Sequence, residues 1–322
     1  LIEGLKRLEY RGYDSAAVAI IDASGQLDRV RRPGKVAAVD SEARARLHGG
    51  TGIAHTRWAT HGVPSEQNAH PHICRNTVAV VHNGIIENHE QLRAEQKKKG
   101  YEFTSQTDTE VIVHQVYDYH VGQGLDLLAA VKRAVTDFKG AYALAVVSTR
   151  EPERLVVARL GSPLVIGIGV GEHFIASDVA ALLPVTQKFV FLQDGDVADI
   201  TRATLTLYDT SGNKVERPMR ISELTANSVE RGEYSHYMLK EIFEQPRALA
   251  ETLEGRVSVD RLLEESFGAG APEIFDKVLG VHIIACGTSY HAGLVGRYWL
   301  EALAGIPASV EVASEFRYRR PV

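Results

Sequence analysis

The feature of the sequence that most constrains the fold is a run of short apolar segments between residues 141 and 210. Six segments follow one another there: AYALAVVST, RLVVARL, LVIGIGV, HFIASD, FVFLQDGDVADI and TLTLYDT. Short apolar segments bounded by turn residues are typical of strands. Three predicted helices, over residues 87–99, 108–120 and 126–138, separate this run from earlier strands. This order predicts sheets packed between helical layers, an α+β fold.

The sequence pattern changes after Asp209. Residues 211–235 are polar and lack clear periodicity, which is typical of a linker. A predicted helix follows, and then a buried strand, a helix and a further strand: VHIIACG, TSYHAGLVGRYWLEALAG and PASVEVAS. Such a unit is typical of an open parallel α/β sheet. We therefore predict a first domain over residues 1–210, a linker over 211–235 and an incomplete α/β domain over 236–322.

Composition excludes several classes of partner. The 322 residues carry a net charge of −5, which gives no electrostatic argument for binding nucleic acid or an anionic membrane. No apolar run reaches the length of a membrane span. The two cysteines, Cys74 and Cys286, suggest a reducing compartment rather than a disulfide framework. We therefore expect a cytoplasmic protein.

Both ends of the sequence look interrupted. The chain begins with Leu1 inside an amphipathic helical pattern that has no preceding cap, and it stops soon after a predicted strand, at EFRYRRPV. We expect truncation at both ends. Loss of a strand before Leu1 would expose a sheet edge, so aggregation is expected too.

Residues 53–62, IAHTRWATHG, combine two histidines, an arginine and a tryptophan. A metal site is disfavoured, because neither a His-Glu-x-x-His helix nor a carboxylate-rich loop accompanies the histidines. Arg57 has the planar guanidinium that suits a carboxylate or phosphate, Trp58 supplies an apolar surface, and Thr60 and His61 supply donors. An anion-binding pocket and a structural ion pair of Arg57 both stay open; the candidate acids for that pair are Asp14 and Asp108.

Two nearby motifs are ambiguous in the same way. Asn83-Gly84, at the end of the predicted strand TVAVVHNG, is either a turn or a pair of donors for a developing oxyanion. Asp108 in TSQTDTE is either a helix cap or a carboxylate for an ammonium group, and a cap is favoured for the motif alone. Arg11 and Tyr13 precede a predicted strand, and each fits a surface position equally well.

The loop that follows the strand VHIIACG has the features of a phosphate site. Gly287, Thr288 and Ser289 open a predicted helix, where hydroxyls and backbone N–H groups suit an anion. Simple N-capping by Thr288 or Ser289 is the alternative. Cys286 is interpreted as a small buried residue rather than a reactive one.

Taken together and in order, these motifs resemble one family. They are LEYRGYDSAAVAI, GIAHTRWATHGVPSEQNAHPH, VHNGIIEN, TDTEVI, RLGSPLVIGIG, LQDGD, HYMLKEIFEQP, ACGTSYHAG and ASEFRYR. The chain resembles the glutamine–fructose-6-phosphate aminotransferase (isomerising) family over essentially its whole length. The resemblance implies an N-terminal-nucleophile hydrolase sandwich of αββα type, followed by the start of a sugar-isomerase (SIS) domain.

The resemblance also implies roles for the residues of the first domain. Glutamine would be held by Arg57 at its α-carboxylate and by Asp108 at its α-ammonium group, while Asn83 and Gly84 would form the oxyanion hole. The same pocket would include Thr60 and His61. Trp58 would lie at the mouth of the ammonia route, and the motif around the nucleophile would include Arg11 and Tyr13.

For the second domain the resemblance implies that Gly287, Thr288 and Ser289 bind the phosphate of fructose 6-phosphate. The products would be glucosamine 6-phosphate and glutamate, with no metal or organic cofactor and with a homodimer as the full-length state.

The sequence departs from the family at the nucleophile. Family members use an N-terminal cysteine whose α-amino group acts as the base, whereas Cys74 and Cys286 are internal. We therefore expect the chain as given to catalyse neither half-reaction. Two alternatives stay open, another class II glutamine amidotransferase and a non-catalytic sugar-phosphate-binding protein; ACGTSYHAG argues against the first.

Overall fold

The fold is described from a computed structural model. It covers residues 1–58, 61–222, 234–253, 256–258, 261–267 and 270–321. The chain divides into two compact units, Leu1–Glu233 and Tyr234–Val322, which are described separately.

Unit 1 contains five α-helices and fourteen strands within the described residues. The helices are α1 (Ile2–Arg7), α2 (Ala37–Arg46), α3 (His89–Lys98), α4 (Thr109–Tyr117) and α5 (Leu127–Ala134). The strands are β1 (Ser15–Ile21), β2 (Leu27–Pro33), β3 (Thr51–Arg57), β4 (His72–Cys74), β5 (Val78–Ile86), β6 (Gly140–Ser148), β7 (Leu155–Leu160), β8 (Val165–Ile168), β9 (His173–Ala176), β10 (Lys188–Phe191), β11 (Val197–Ile200), β12 (Leu205–Tyr208), β13 (Lys214–Val215) and β14 (Met219–Ile221).

The strands form three antiparallel sheets. The largest has seven strands in the order β13-β12-β11-β7-β6-β5-β4, and the others have the orders β2-β1-β3 and β14-β10-β8-β9. The β5–β6 pair lies inside the largest sheet, with Val80 opposite Val146 and Asn83 opposite Ala143. The candidate site residues Asn83 and Gly84 are therefore held in place by a long ladder.

The three sheets lie between two helical layers. On one face of the seven-stranded sheet, Val80, Leu144 and Val156 pack against helix residues such as Ile112 and Val131. On its other face, the intervening residues of the same strands pack against the two smaller sheets; they include Ala79, Val81, Ala145 and Val157. This alternation follows from the period of two along a strand.

The second helical layer covers the β2-β1-β3 sheet. Val18 and Val30 of the sheet pack against Leu5 of α1 and against Val39 of α2. Helix α2 is absent from the sequence prediction, although apolar side chains recur at its start and along it; these are Val36, Val39, Ala43 and Leu47. The resulting order of layers is α-β-β-α, as the resemblance implies.

Unit 2 has a small parallel sheet. Strands β15 (Val281–Ala285) and β16 (Ala308–Val312) pair in parallel, and α8 (Gly287–Trp299) connects them. The other helices are α6 (Tyr237–Leu253), α7 (Ala271–Phe275) and α9 (Ala313–Tyr318). The predicted strand–helix–strand unit is therefore present, and α6 matches the helix predicted to begin near residue 236.

Two local predictions are wrong. Asn83-Gly84 is not a turn, because β5 continues through it and pairs with β6 as far as Ile86. The linker predicted from residue 211 begins later, because β13 pairs with β12 and β14 pairs with β10. Residues 223–233 of the predicted linker lie outside the described part of the chain.

Candidate active site

A cavity of about 600 Å³ lies within unit 1. It is bounded by the ends of β3 and β5, the start of α4 and the segment around β9. Seven of the predicted site residues line it: Arg11, Arg57, Trp58, His61, Asn83, Gly84 and Asp108. The fold thus brings together residues that are up to 97 positions apart in the sequence.

Gly84 is required by the geometry of β5. Its φ is +130°, a conformation that residues with a side chain rarely adopt. A Cβ at this position would lie 2.0 Å from the carbonyl oxygen of Ala141 on the neighbouring strand. The glycine therefore permits a close approach of two backbones at the cavity, which is a different role from the turn suggested by the sequence.

Asn83 has its side-chain amide fixed from one side. Its Oδ1 lies 2.9 Å from Nε2 of His55, on the adjacent end of β3. Since Oδ1 can only accept a hydrogen bond, Nε2 of His55 is the donor. No described residue accepts a hydrogen bond from Nδ2 of Asn83, and that group remains a donor for a ligand in the cavity.

Arg57 is buried at the end of β3, with an exposed fraction of 4%. Its guanidinium donates to Oδ1 of Asp14 at 3.3 Å and to the carbonyl oxygens of His61 and Gly62. Arg57 therefore does have an acidic neighbour, as the structural alternative required. These bonds use three of its five N–H groups, so a carboxylate ligand can still be bound in the same cavity.

Asp108 immediately precedes α4 and is 3% exposed. Its side chain does not cap that helix; Oδ2 instead accepts from the backbone N–H of Ile86 at 2.8 Å. Nδ1 of His61 lies 3.8 Å from Oδ1, and Nδ1 of His82 lies 3.9 Å from Oδ2. The favoured capping interpretation is wrong, and the buried carboxylate faces the cavity.

The segment after β3 forms the exposed side of the site. Trp58 is 68% exposed, and its ring covers Gly12, where a Cβ would lie 2.5 Å from Cζ3. The ring of His61 makes an edge-on contact with His89, with the centroids 4.9 Å apart. Thr60, which was predicted to line the pocket, lies outside the described residues.

Arg11 and Tyr13 have structural partners. Arg11 lines the cavity, but its guanidinium donates to Asp178 at 2.5 Å and to Ser177 at 3.1 Å. The Tyr13 hydroxyl accepts from the backbone N–H of Val36 at 2.9 Å and donates to Glu9. Burial, followed by the bond to Glu9, raises the pKa of Tyr13 to about 12. Tyr13 does not line the cavity, so it is the one described residue of the predicted glutamine site that lies apart from it.

Buried histidines lie next to the cavity. The ring of His70 lies between those of His55 and His72, with centroid separations of 4.6 and 5.0 Å. Burial lowers the pKa of all three, to about 4 for His55. Within the described residues, no group of three or more His, Cys, Asp or Glu side chains is arranged to hold a metal ion.

Neither cysteine lies at the cavity. Cys74 is buried on β4, with its Sγ 3.2 Å from Nδ1 of His114, and burial raises its pKa to about 12. Cys286 lies in unit 2 at the start of α8 and is exposed, contrary to its interpretation as a buried residue. Within the described residues of unit 1, no cysteine thiol therefore lies beside Asn83 and Gly84.

The residues predicted to bind a phosphate open α8 in unit 2. Gly287, Thr288 and Ser289 are exposed, and Gly287 has a φ of +59°. Cys286 occupies the N-cap position, and its side chain makes no capping hydrogen bond. N-capping by Thr288 or Ser289 is therefore wrong, since both residues lie inside the first turn.

Two family models match the chain. A glutamine amidotransferase domain matches residues 55–184, and a SIS domain matches residues 277–321. The first range contains most of the residues that line the cavity, and the second contains β15, α8 and β16.

Curated relatives match nearly the whole chain. The glutamine–fructose-6-phosphate aminotransferase (isomerising) of Pseudomonas aeruginosa is 59% identical over 322 residues, and that of Shewanella oneidensis is 57% identical over 324 residues. Each match covers 99% of this chain and 52% of the relative. The chain is therefore similar, over nearly its whole length, to glutamine–fructose-6-phosphate aminotransferases. It spans about half the length of these curated relatives.

Two solved structures share the fold of this chain. A glutamine phosphoribosylpyrophosphate amidotransferase from B. subtilis matches 100% of the chain and 65% of its own length, with a TM-score of 0.58 at 20% identity. The allosteric regulatory enzyme of purine biosynthesis matches 96% of the chain and 61% of its own length, with a TM-score of 0.59 at 21% identity. The predicted fold class is confirmed. No helix in the described residues is long and apolar enough to cross a membrane.

Proposed function

We propose that the cavity of unit 1 binds glutamine and supports its hydrolysis to glutamate and ammonia. One observation carries the proposal: a buried guanidinium, a buried carboxylate and an Asn-Gly pair line the same cavity. Glutamine carries a carboxylate, an ammonium group and an amide, so each of its polar groups has a matching partner. A volume of about 600 Å³ is ample for one amino acid.

Charge sets the orientation of the bound glutamine. Arg57 binds the α-carboxylate with the N–H groups that Asp14 and the loop carbonyls do not use. Asp108 binds the α-ammonium group through the oxygen that does not accept from Ile86. Buried charges of this kind discriminate strongly, because an uncompensated charge in the cavity is costly.

The side-chain amide of glutamine then lies toward Asn83 and Gly84. A nucleophile that attacks this amide generates a negatively charged oxygen, which the amide of Asn83 and the backbone N–H of Gly84 stabilise. The family nucleophile is an N-terminal cysteine, and it is not among the 322 residues. His61 contacts the bound glutamine, and Trp58 covers the route by which ammonia leaves.

We further propose that unit 2 contributes to a site for fructose 6-phosphate. The first turn of α8 presents backbone N–H groups and the hydroxyls of Thr288 and Ser289 beside Gly287, whose φ is +59°, an arrangement suited to a phosphate. Ammonia from glutamine would aminate the sugar, giving glucosamine 6-phosphate. The complete enzyme would be a cytoplasmic homodimer that needs no cofactor and has no nucleic-acid or membrane partner. A linker after β14 and a second domain from residue 236 likewise remain proposals.

Calorimetric titration with glutamine and two analogues tests the glutamine pocket. The analogue 4-aminobutanamide lacks the α-carboxylate, and glutaramic acid lacks the α-ammonium group. We expect each to bind at least about tenfold more weakly than glutamine, since one charge-assisted contact is worth about 1.5–3 kcal/mol.

Two variants assign each loss to its residue. Arg57→Met removes the cation and should bind glutamine and 4-aminobutanamide with similar affinity. Asp108→Asn removes the anion and should bind glutamine and glutaramic acid with similar affinity. Asp118→Asn is the matched control, because Asp118 bonds to Lys99 and Tyr101 away from the cavity. Equal discrimination among the three ligands in all variants would reject the pocket.

A further inference from the structure

His55 contacts one of the two proposed oxyanion donors directly. Its Nε2 lies 2.9 Å from Oδ1 of Asn83, and the two side chains form a hydrogen bond. The two residues come from adjacent strand ends, β3 and β5, so the contact depends on the packing of two different sheets. Because the two residues are 28 positions apart in the sequence, no local motif indicates that they form a pair.

The identity of the Asn83 atom that faces the cavity decides what the residue can do there. With Oδ1 toward His55, the Nδ2 group is available to donate to an oxyanion. A rotation of the amide by 180° would place Oδ1 in the cavity instead, where it would repel a developing negative charge. The amide has no intrinsic preference for one of these orientations, so a neighbour must select it.

The surroundings of His55 allow it to fix the orientation of the Asn83 amide. The residue is 8% exposed, and β3 holds its backbone opposite Ala17 of β1. The ring of His70 lies against its imidazole at 4.6 Å, which limits rotation of the ring. Burial lowers the pKa of His55, so the ring is neutral near pH 7 and has one N–H group. That hydrogen must be on Nε2 for the bond to Asn83 to form.

We propose that His55 is a positioning residue of the glutaminase site, which donates from Nε2 to Oδ1 of Asn83 and so keeps the Asn83 amide hydrogens directed at the oxyanion. His55 does not touch substrate in this role. The proposal rests on the glutaminase function proposed above.

Kinetics on the full-length gene product test the proposal through a double-mutant cycle. His55→Leu removes the donor, and we expect it to lower kcat for glutamine hydrolysis by about 10–100-fold with little change in KM, a substantial part of the 10²–10³-fold effect of one oxyanion donor. His55→Gln places an amide N–H near the position of Nε2, and its kcat should be at least about tenfold higher than that of His55→Leu. In an Asn83→Ala background, His55→Leu should have no further effect on kcat, because it acts through Asn83.

The control variant is His120→Leu, which removes another buried imidazole. The His120 ring makes two hydrogen bonds, to Leu125 and Ser148, and it does not line the cavity. It should lower stability, and its effect on kcat should be the same with Asn83 or Ala at position 83. Losses by His55→Leu that are independent of residue 83 would mean a structural role and overturn the proposal.

Nitrogen-15 NMR provides a readout that does not need turnover. In the labelled chain, His55 should show the Nε2–H tautomer between pH 6 and 8, and Asn83→Ala should change its nitrogen shifts. The Nδ1–H tautomer would overturn the inference even if Asn83→Ala abolishes activity. If Asn83→Ala leaves glutamine hydrolysis intact, the proposed function itself fails.

Discussion

Replacement of Gly84 by alanine tests the close approach of β5 and β6 at the site. The new Cβ would lie 2.0 Å from the carbonyl oxygen of Ala141, and the residue would have to keep a φ of +130°. Backbone strain costs about 1–3 kcal/mol and overpacking costs about 1–3 kcal/mol. We therefore expect Gly84→Ala to lower the free energy of unfolding of unit 1 by about 2–6 kcal/mol, a large part of the stability of a typical domain.

The assay is urea unfolding in a Trp299→Phe background. Trp58 and Trp299 are the two tryptophans, so the remaining fluorescence reports on unit 1. Gly100→Ala is the matched control, since Gly100 has a φ of +82° but no described atom lies within 4 Å of its added Cβ. It should cost about 1–2 kcal/mol from backbone strain alone. If the two variants shift the midpoint equally, the steric argument at Gly84 is refuted.

Three further predictions concern pH, Trp58 and the thiols. The unfolded chain takes up protons below about pH 6.5 that the native state excludes from His55, His70 and His72. The free energy of unfolding of unit 1 should therefore fall as the pH decreases from 6.5 to 4, by up to about 1.4 kcal/mol per pH unit for each histidine; equal urea midpoints at pH 7 and pH 5 would contradict this. Gly12→Ala should displace the Trp58 ring and shift its emission, and an unchanged spectrum would mean that the contact is absent. A thiol reagent should modify Cys286 rapidly and Cys74 only after unfolding, because Cys74 is buried and its pKa is raised; rapid labelling of two thiols in the native protein would disagree.

The order of strands and helices was predictable because periodicity reports which side chains are buried. The six segments between residues 141 and 210 contain the seven strands β6 to β12, because FVFLQDGDVADI contains both β10 and β11. The helices predicted over 87–99 and 108–120 correspond to α3 and α4. Errors arose where tertiary contacts override local signals. Asn83-Gly84 has a turn sequence, yet pairing with β6 extends the strand through it.

Two short edge strands were not predicted, because local sequence carries little signal for them. The strands β13 and β14 contain only two and three residues, which is too few for a periodic pattern. Their position at the edges of two sheets leaves them largely exposed, so their composition resembles that of a linker.

The candidate site was predictable as a set of residues but not as a set of contacts. The sequence left two candidate acids for Arg57, and only the structure selects Asp14. Asp108 accepts from a backbone group of β5 rather than capping α4. The bond between His55 and Asn83 likewise depends on two strands that belong to different sheets. Residue types indicate the chemistry of a site, whereas the pairing of those residues depends on the assembled fold.

The most direct test of the glutamine pocket is a crystal structure of the chain with bound glutamine. The account predicts the α-carboxylate at Arg57, the α-ammonium group at Asp108 and the side-chain amide beside Asn83 and Gly84. Glutamine bound in the reverse orientation, or bound outside the cavity of unit 1, would contradict it.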